Sequence, residues 1–329
     1  MRRLLTAALI FAALGPMPGT VMRAPEPDLT ESAAARPLAF APEAAGTLRF
    51  VRGWHLVSPH SRFGGFSALA REAGADRFQL VGDNGYWTRL ALDSRGAVSD
   101  VRIRPLPTPD GRPARKSMAD AEAMFVDRAS GKSWIALEGI NEIWRLDADL
   151  AAIEARRKLP RPRWPGNLGP EAMVRLGDGR TVVFSEEARR REGLLYSGDP
   201  AAPGPPPLRF FYDSDGRGPV SDAAPLPDGR ILLVHRRLGF DPVFTTILSI
   251  ADPADIKADA VVRSRTIGRV PPRLAENYEG AAVSVEGGRT FLWLVADNNF
   301  NVWQRSLLLQ FELVDLPPKK TPDSKKAAP

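Results

Sequence analysis

The 329-residue chain contains no cysteine, which excludes disulfides, a lipidated-cysteine anchor and thiolate metal sites together. Its three histidines, His55, His60 and His235, are too scattered to support a zinc site. No serine stands in a G-x-S-x-G frame, so a nucleophile-elbow hydrolase is unsupported, and neither a P-loop nor a dinucleotide-binding glycine fingerprint occurs. Long apolar runs are missing too: Leu4 to Leu14, about eleven residues, is too short to span a bilayer comfortably. Nor does any long stretch show helical periodicity. What the chain has instead is 31 prolines and 28 glycines in a sequence that is 43% hydrophobic, a composition suited to many short strands and turns.

Both ends are set apart from the body. Arg2 and Arg3 precede the Leu4–Leu14 run and the helix-breaking Gly15-Pro16, the layout of a secretory signal peptide over residues 1–23. Residues 24–46, rich in Ala, Pro and Glu without periodicity, read as a linker. The stretch 317–329 reads as a disordered basic tail carrying Lys319, Lys320, Lys325 and Lys326 against Asp323. Residues 1–23 carry +3, 24–36 carry −2 and the tail +3, which leaves about +2 of the formal +6 for the folded body. That small surplus gives no reason to expect a nucleic-acid partner. The expectation is a periplasmic or secreted monomer without a stable membrane anchor.

The body, 47–316, repeats. Short strand-opening motifs centre on Ser67, Glu122, Glu171, Asp222 and Glu279, separated by 55, 49, 51 and 57 residues. Each is followed by a turn, mostly of glycine (Asp178-Gly179, Asp228-Gly229, Gly287-Gly288), and then by a second apolar run that ends on a polar residue: Asp83, Glu138, Glu186, His235 or Asp297. A period near 50 with three or four strands per unit marks an all-β fold, the β-propeller. Five blades are counted; a sixth would need degenerate strands within Pro105–Ser117 or Arg156–Gly169. The last unit runs out after three strands, whereas Thr47–Val57 is strand-like and unassigned, so an N-terminal strand is expected to close the last blade.

In such a blade the start of the first strand and the end of the second share one rim. Glu122, Glu171, Asp222 and Glu279 are therefore expected near the central channel, with Asp83, Glu138, Glu186, His235 and Asp297 beside them. Carboxylates this close repel one another unless a hard cation joins them, and oxygen ligands suit calcium. Asp83, Glu122, Glu138, Glu171, Asp222, Glu279 and Asp297 are the candidate ligands. An acid repeated at every blade start also fits a purely structural role, accepting backbone amides of the next blade. Arg62, Lys116, Arg236 and Arg305 are placed to bind an anionic or phosphorylated small molecule, and Glu279 and His235 are the candidate catalytic groups.

Several motifs carry a resemblance. Asn277-x-Glu279-Gly280, then Asp297-Asn298-Asn299-Phe300 and Gln304-Arg305-Ser306 before Leu307–Leu309, together with Phe63-Gly64-Gly65-Phe66-Ser67 and Asp120-Ala121-Glu122-Ala123, resemble the bacterial phytase-like family, described as "esterase-like activity of phytase". The resemblance covers 48–314 and implies an exported bacterial β-propeller. Beside it the residues leave three functions open: a calcium-dependent phosphoric-ester hydrolase, a calcium-dependent lactonase-like hydrolase, and a non-catalytic propeller that binds a ligand or partner at the same mouth.

Overall fold

The computed structural model describes residues 26–39, 44–72, 76–112, 116–160, 164, 169–186 and 191–319. The expected signal peptide and the tail beyond residue 319 lie outside the described residues. In chain order the strands are β1 (Ala34–Pro37), β2 (Ala44–Ala45) and β3 (Leu48–Val57), then β4 (Phe66–Arg71), β5 (Arg77–Gly82), β6 (Tyr86–Leu92) and β7 (Val98–Pro105). A one-turn helix, α1 (Lys116–Ala119), leads into β8 (Ala121–Val126), β9 (Ser133–Leu137), β10 (Glu142–Leu146) and β11 (Ile153–Lys158). Next come β12 (Pro170–Arg175), β13 (Thr181–Ser185), β14 (Glu192–Tyr196) and β15 (Leu208–Asp213), followed by β16 (Val220–Pro225), β17 (Ile231–Leu238), β18 (Phe244–Ala251) and β19 (Val261–Arg269). The chain ends with β20 (Asn277–Glu286), β21 (Arg289–Asp297) and β22 (Leu307–Leu313). The fold is all-β.

Neighbouring strands pair antiparallel within β4–β7, β8–β11, β12–β15 and β16–β19; β20, β21 and β22 pair in the same way, and β3 follows β22 as their fourth strand. The first strands of these groups pack side by side, β4 on β8, β8 on β12, β12 on β16, β16 on β20 and β20 back on β4. Their sequences show why they lie inside. First strands such as β12 (PEAMVR) and β16 (VSDAAP) are buried at all but their last residue, whereas the outlying β11 (IEARRK) alternates half-buried and exposed, as a strand with one wet face must. Hairpin chemistry fits too: Gly287 and Gly288 both take positive φ, 55° and 74°, between the paired Glu286 and Arg289, a turn that side chains with a Cβ resist.

The strand Leu48–Val57 runs antiparallel to β22, with Leu313 opposite Leu48 and Leu307 opposite His55. Its Trp54 stacks on Trp293 of β21 at 6.4 Å, and Phe78 of β5 meets Trp293 edge-on at 4.9 Å, so one aromatic seam joins the first and last groups. The guanidinium of Arg52 lies over both indoles at 5.0 and 5.3 Å.

The segment 24–46 is not simply a linker. Residues 34–37 form β1, pairing antiparallel with β3, and Ala33 and Ala35 pack against the cluster around Trp54. The outer strand offers a row of free N–H and C=O groups, and this segment satisfies them despite its proline-rich composition. A second feature was not expected: β15 and β19 pair in parallel, Tyr212 opposite Val262, so two groups form one eight-stranded sheet. Among the described residues, neither 106–112 nor 159–160 adds a strand. No helix among them is long and apolar enough to cross a membrane.

Candidate active site

Each first strand opens on a bulge. Pairing skips Ser67 between Phe66 and Ala68, and likewise skips Glu122, Glu171, Ser221 and Glu279. An extra residue in one strand is left out of the ladder and its side chain is re-aimed. At the partner end, the residue just beyond the matching pair is Asp83, Glu138, Glu186, Arg236 or Asp297. The fourth group is thus one residue out of step with the sequence alignment: Ser221, not Asp222, holds the bulge, and Arg236, not His235, takes the place of the acid. In a strand a one-residue shift swaps faces.

Asp222 therefore leaves the set of candidate ligands. It is buried between groups four and five, where its carboxylate accepts the amides of Ala223 at 2.7 Å and of Ala281 on β20 at 2.6 Å. Burial raises its pKa well above the usual carboxylate range, and the two amides oppose that rise. Its role is the structural one, for this residue alone. Asp222→Ala should cost about 1–3 kcal/mol by orphaning the Ala281 amide, checked by thermal unfolding.

His235 is likewise no catalyst. The ring is fully buried, with Nε2 at 2.8 Å from Ser249 Oγ and 3.2 Å from Tyr212 Oη, and with Nδ1 facing the Gly218 carbonyl at 3.3 Å. Burial and the nearby charge of Arg217 push its pKa down to about 3, so it stays neutral. The unfolded chain binds this proton near pH 6.5, the folded protein only near pH 3. Stability from this group is therefore full above pH 6.5 and is lost as pH falls towards 3, by an amount on the order of 5 kcal/mol. His235→Gln should flatten that slope, and the difference between the two acid-unfolding curves measures it.

The remaining acids converge. Arg236, standing where the other groups carry an acid, donates to Glu279, to Asn277 Oδ1 at 3.2 Å and to Glu186 at 3.0 Å. Asn277 Nδ2 donates to Glu279 at 2.9 Å and to Asp297 at 3.3 Å. Burial pushes Glu279 up to about 8, against the pull of Arg236, and pushes Asp297 up to about 6, with Asp83 adding to the rise. On the other side Lys116 pairs with Asp83 and lies 3.7 Å from Asp120. Between these two cations lie two carboxylate triads, Asp120–Glu122–Glu138 and Glu138–Glu171–Glu186, each with ligand atoms within 4.8 Å of one another.

Glu138 belongs to both triads and accepts the Gly169 amide at 3.1 Å. Burial, then their acidic neighbours, raise Glu122 and Glu171 well above the carboxylate range; Arg236 only partly offsets this for Glu171. Asp83 Oδ1 and Asp120 Oδ1 are buried without a hydrogen-bond partner. An all-oxygen donor set, charge in excess of its cations and orphaned acceptor atoms together fit a hard divalent cation. Glu279 and Asp297 are instead held by Arg236 and Asn277, and Asp83 by Lys116.

Of the four proposed substrate-binding cations, Lys116 and Arg236 border the acids. Arg62 lies over the Tyr86 ring at 5.7 Å and Arg305 is committed to Glu276 at 2.6 Å. Asp120 was not singled out as a ligand, although the Asp120-x-Glu122 spacing held the signal. The loop Gly64-Gly65 meets Asn298, whose Oδ1 accepts the Gly65 amide at 3.0 Å. At φ 61°, a side chain on Gly65 would strike Asp83 and the Phe300 ring. The two end motifs thus form one wall.

A family model described as "Phytase-like: Esterase-like activity of phytase" matches residues 61–300. Among solved structures, the chain is similar to Myxococcus xanthus glutaminyl cyclase (12% identity, 82% of this chain, 97% of that one, TM-score 0.48). It is also similar to a PQQ-bound aldose sugar dehydrogenase from Streptomyces coelicolor (15%, 83% and 99%, TM-score 0.47) and to a streptogramin B lyase (14%, 82% and 67%, TM-score 0.39). No curated protein matches.

Proposed function

The chain belongs to the phytase-like family, and from that premise we propose that it is an exported, calcium-dependent phosphoric-ester hydrolase acting at the acidic mouth of a five-bladed β-propeller closed by β3. Residues 1–23 direct its export to the periplasm. The observation that carries the reading is the pair of triads sharing Glu138, with buried oxygens of Asp83 and Asp120 beside them that no hydrogen bond satisfies. Asp120, Glu122, Glu138, Glu171 and Glu186 would hold calcium, and calcium bound there supplies the positive charge that polarises a phosphoryl oxygen.

The chain's own groups do the rest. Lys116 and Arg236 flank the acids, and their N–H donors turn from Asp83 and Glu279 to the oxygens of an incoming phosphate. Water would add to phosphorus as the bond to the alkoxide breaks, and Glu279, pushed up to about 8 by burial, is suited to give the alkoxide its proton and to regain one from that water.

A phosphomonoester assay tests the reading. Metal-free protein should be inactive, calcium should restore turnover, and Glu138→Gln should lower kcat by about a hundredfold or more with its fold intact. If calcium binds but no phosphate ester is turned over, the hydrolase is abandoned and the metal site kept.

A further inference from the structure

The bore changes character away from the acids. Where the first strands finish, a cavity of about 980 Å³ is walled by apolar side chains, among them Met124, Met173, Ala224 and Ala282. Four arginines also line it, Arg71, Arg89, Arg128 and Arg175, with the carboxylates of Glu72 and Asp127; Arg89 is held by Gln79 Oε1 at 2.8 Å and lies 4.0 Å from Asp149. Arg71 is neutralised by Asp76 at 2.8 Å and Glu286 at 3.0 Å. Arg128 and Arg175 have no ion-pair partner among the described residues. Arg128 is exposed, and its one contact is a long reach of 3.5 Å to the Val283 carbonyl on β20. Arg175 lies over the rings of Trp134 and Phe125 at 5.7 and 6.0 Å, which leaves its N–H edge unused, while the adjacent Asp127 is turned to Ser130 at 2.6 Å.

Two guanidinium forks outside any ion pair, beside an apolar bore, make an amphipathic receptor. We propose that this end binds a single-headed organic carboxylate, its alkyl or aryl body among the apolar side chains and its headgroup on Arg128 and Arg175. Guanidinium matches carboxylate geometry with paired N–H donors, and the apolar wall adds area that a bare anion cannot use.

Calorimetric titration of the full-length protein with sub-micellar octanoate tests this, with a calcium chelator present so that the acidic mouth is silent and the outcome is independent of the hydrolase reading. Octanoate should bind saturably at one site, while acetate, inorganic phosphate and octanol bind at least about tenfold more weakly, each lacking one half of the match. Arg128→Gln, at an exposed position, should weaken octanoate about tenfold, and Arg175→Met should do the same. Absence of saturable octanoate binding, equal affinity for phosphate or octanol, or undiminished affinity in Arg128→Gln overturns the proposal.

Discussion

A chain lacking residues 47–57 is expected to show no cooperative unfolding transition. The strand buries Leu48, Phe50, Trp54 and Leu56 almost completely, and its backbone pairs with β22 over its whole length. Losing a single buried large side chain costs about 2–5 kcal/mol, so four together rival the entire stability of a domain, about 5–15 kcal/mol. The deletion also bares the edge of β22 and removes the indole stacked on Trp293. Near-UV circular dichroism during heating is the measurement, and an unchanged melting curve would rule closure out. Trp54→Ala isolates the seam and should cost about 3–5 kcal/mol without abolishing folding.

The second large effect concerns calcium and pH together. Glu279 and Asp297 are pushed up to about 8 and about 6, and Glu122 and Glu171 are raised as well. For an acid whose folded pKa lies above its unfolded value, the folded state binds the proton more tightly. That contribution is full below the unfolded pKa and is lost as pH rises through the folded one. Metal-free protein should therefore lose stability between about pH 4.5 and 8 as these acids ionise against one another. A divalent cation relieves the repulsion, so its stabilising effect should grow over the same window. At a hundred times its dissociation constant, calcium should add about 2.7 kcal/mol, roughly 5 °C in Tm for a domain of this size. The increment should be large at pH 8, small at pH 5 and reduced in Glu138→Gln, which removes the carboxylate common to both triads. Identical melting temperatures with calcium and with chelator at pH 8 would sink the metal site.

How far the sequence could be read depended on register. Periodicity near 50 and apolar run lengths were enough to expect an all-β chain of repeated short strands, because both follow from local patterning. The five bulges lie at or beside the strand-opening positions picked out, and four of those five were placed correctly. The fourth failed because Ser221-Asp222 offers two polar residues in succession, and composition cannot say which of them leaves the ladder. That one step exchanged a buried structural acid for a serine and a buried histidine for Arg236, so that Arg236, expected only as a substrate-binding cation, stands in the position of an acid and pairs with Glu279 and Glu186. Pairing of β1 with β3 was illegible for another reason: Ala-Ala-Arg-Pro has no strand pattern, and its conformation is imposed by the edge it covers.

The parallel contact of β15 with β19, together with β1 on β3, bears on how molecules of this chain avoid one another. An uncovered outer strand is a template on which a second copy can add a strand and begin a fibril. Three of the five outer strands are blocked by partners from the same chain. The two without a strand partner among the described residues, β7 and β11, are protected chemically: Glu31 accepts the Ile103 amide of β7 at 2.7 Å, β7 carries Asp100, Arg102 and Arg104 and ends on Pro105, and β11 carries Glu154, Arg156, Arg157 and Lys158. Another copy docking there would have to desolvate these charges and set arginine against arginine. Charge on those two strands thus opposes strand addition where no described segment pairs with the edge.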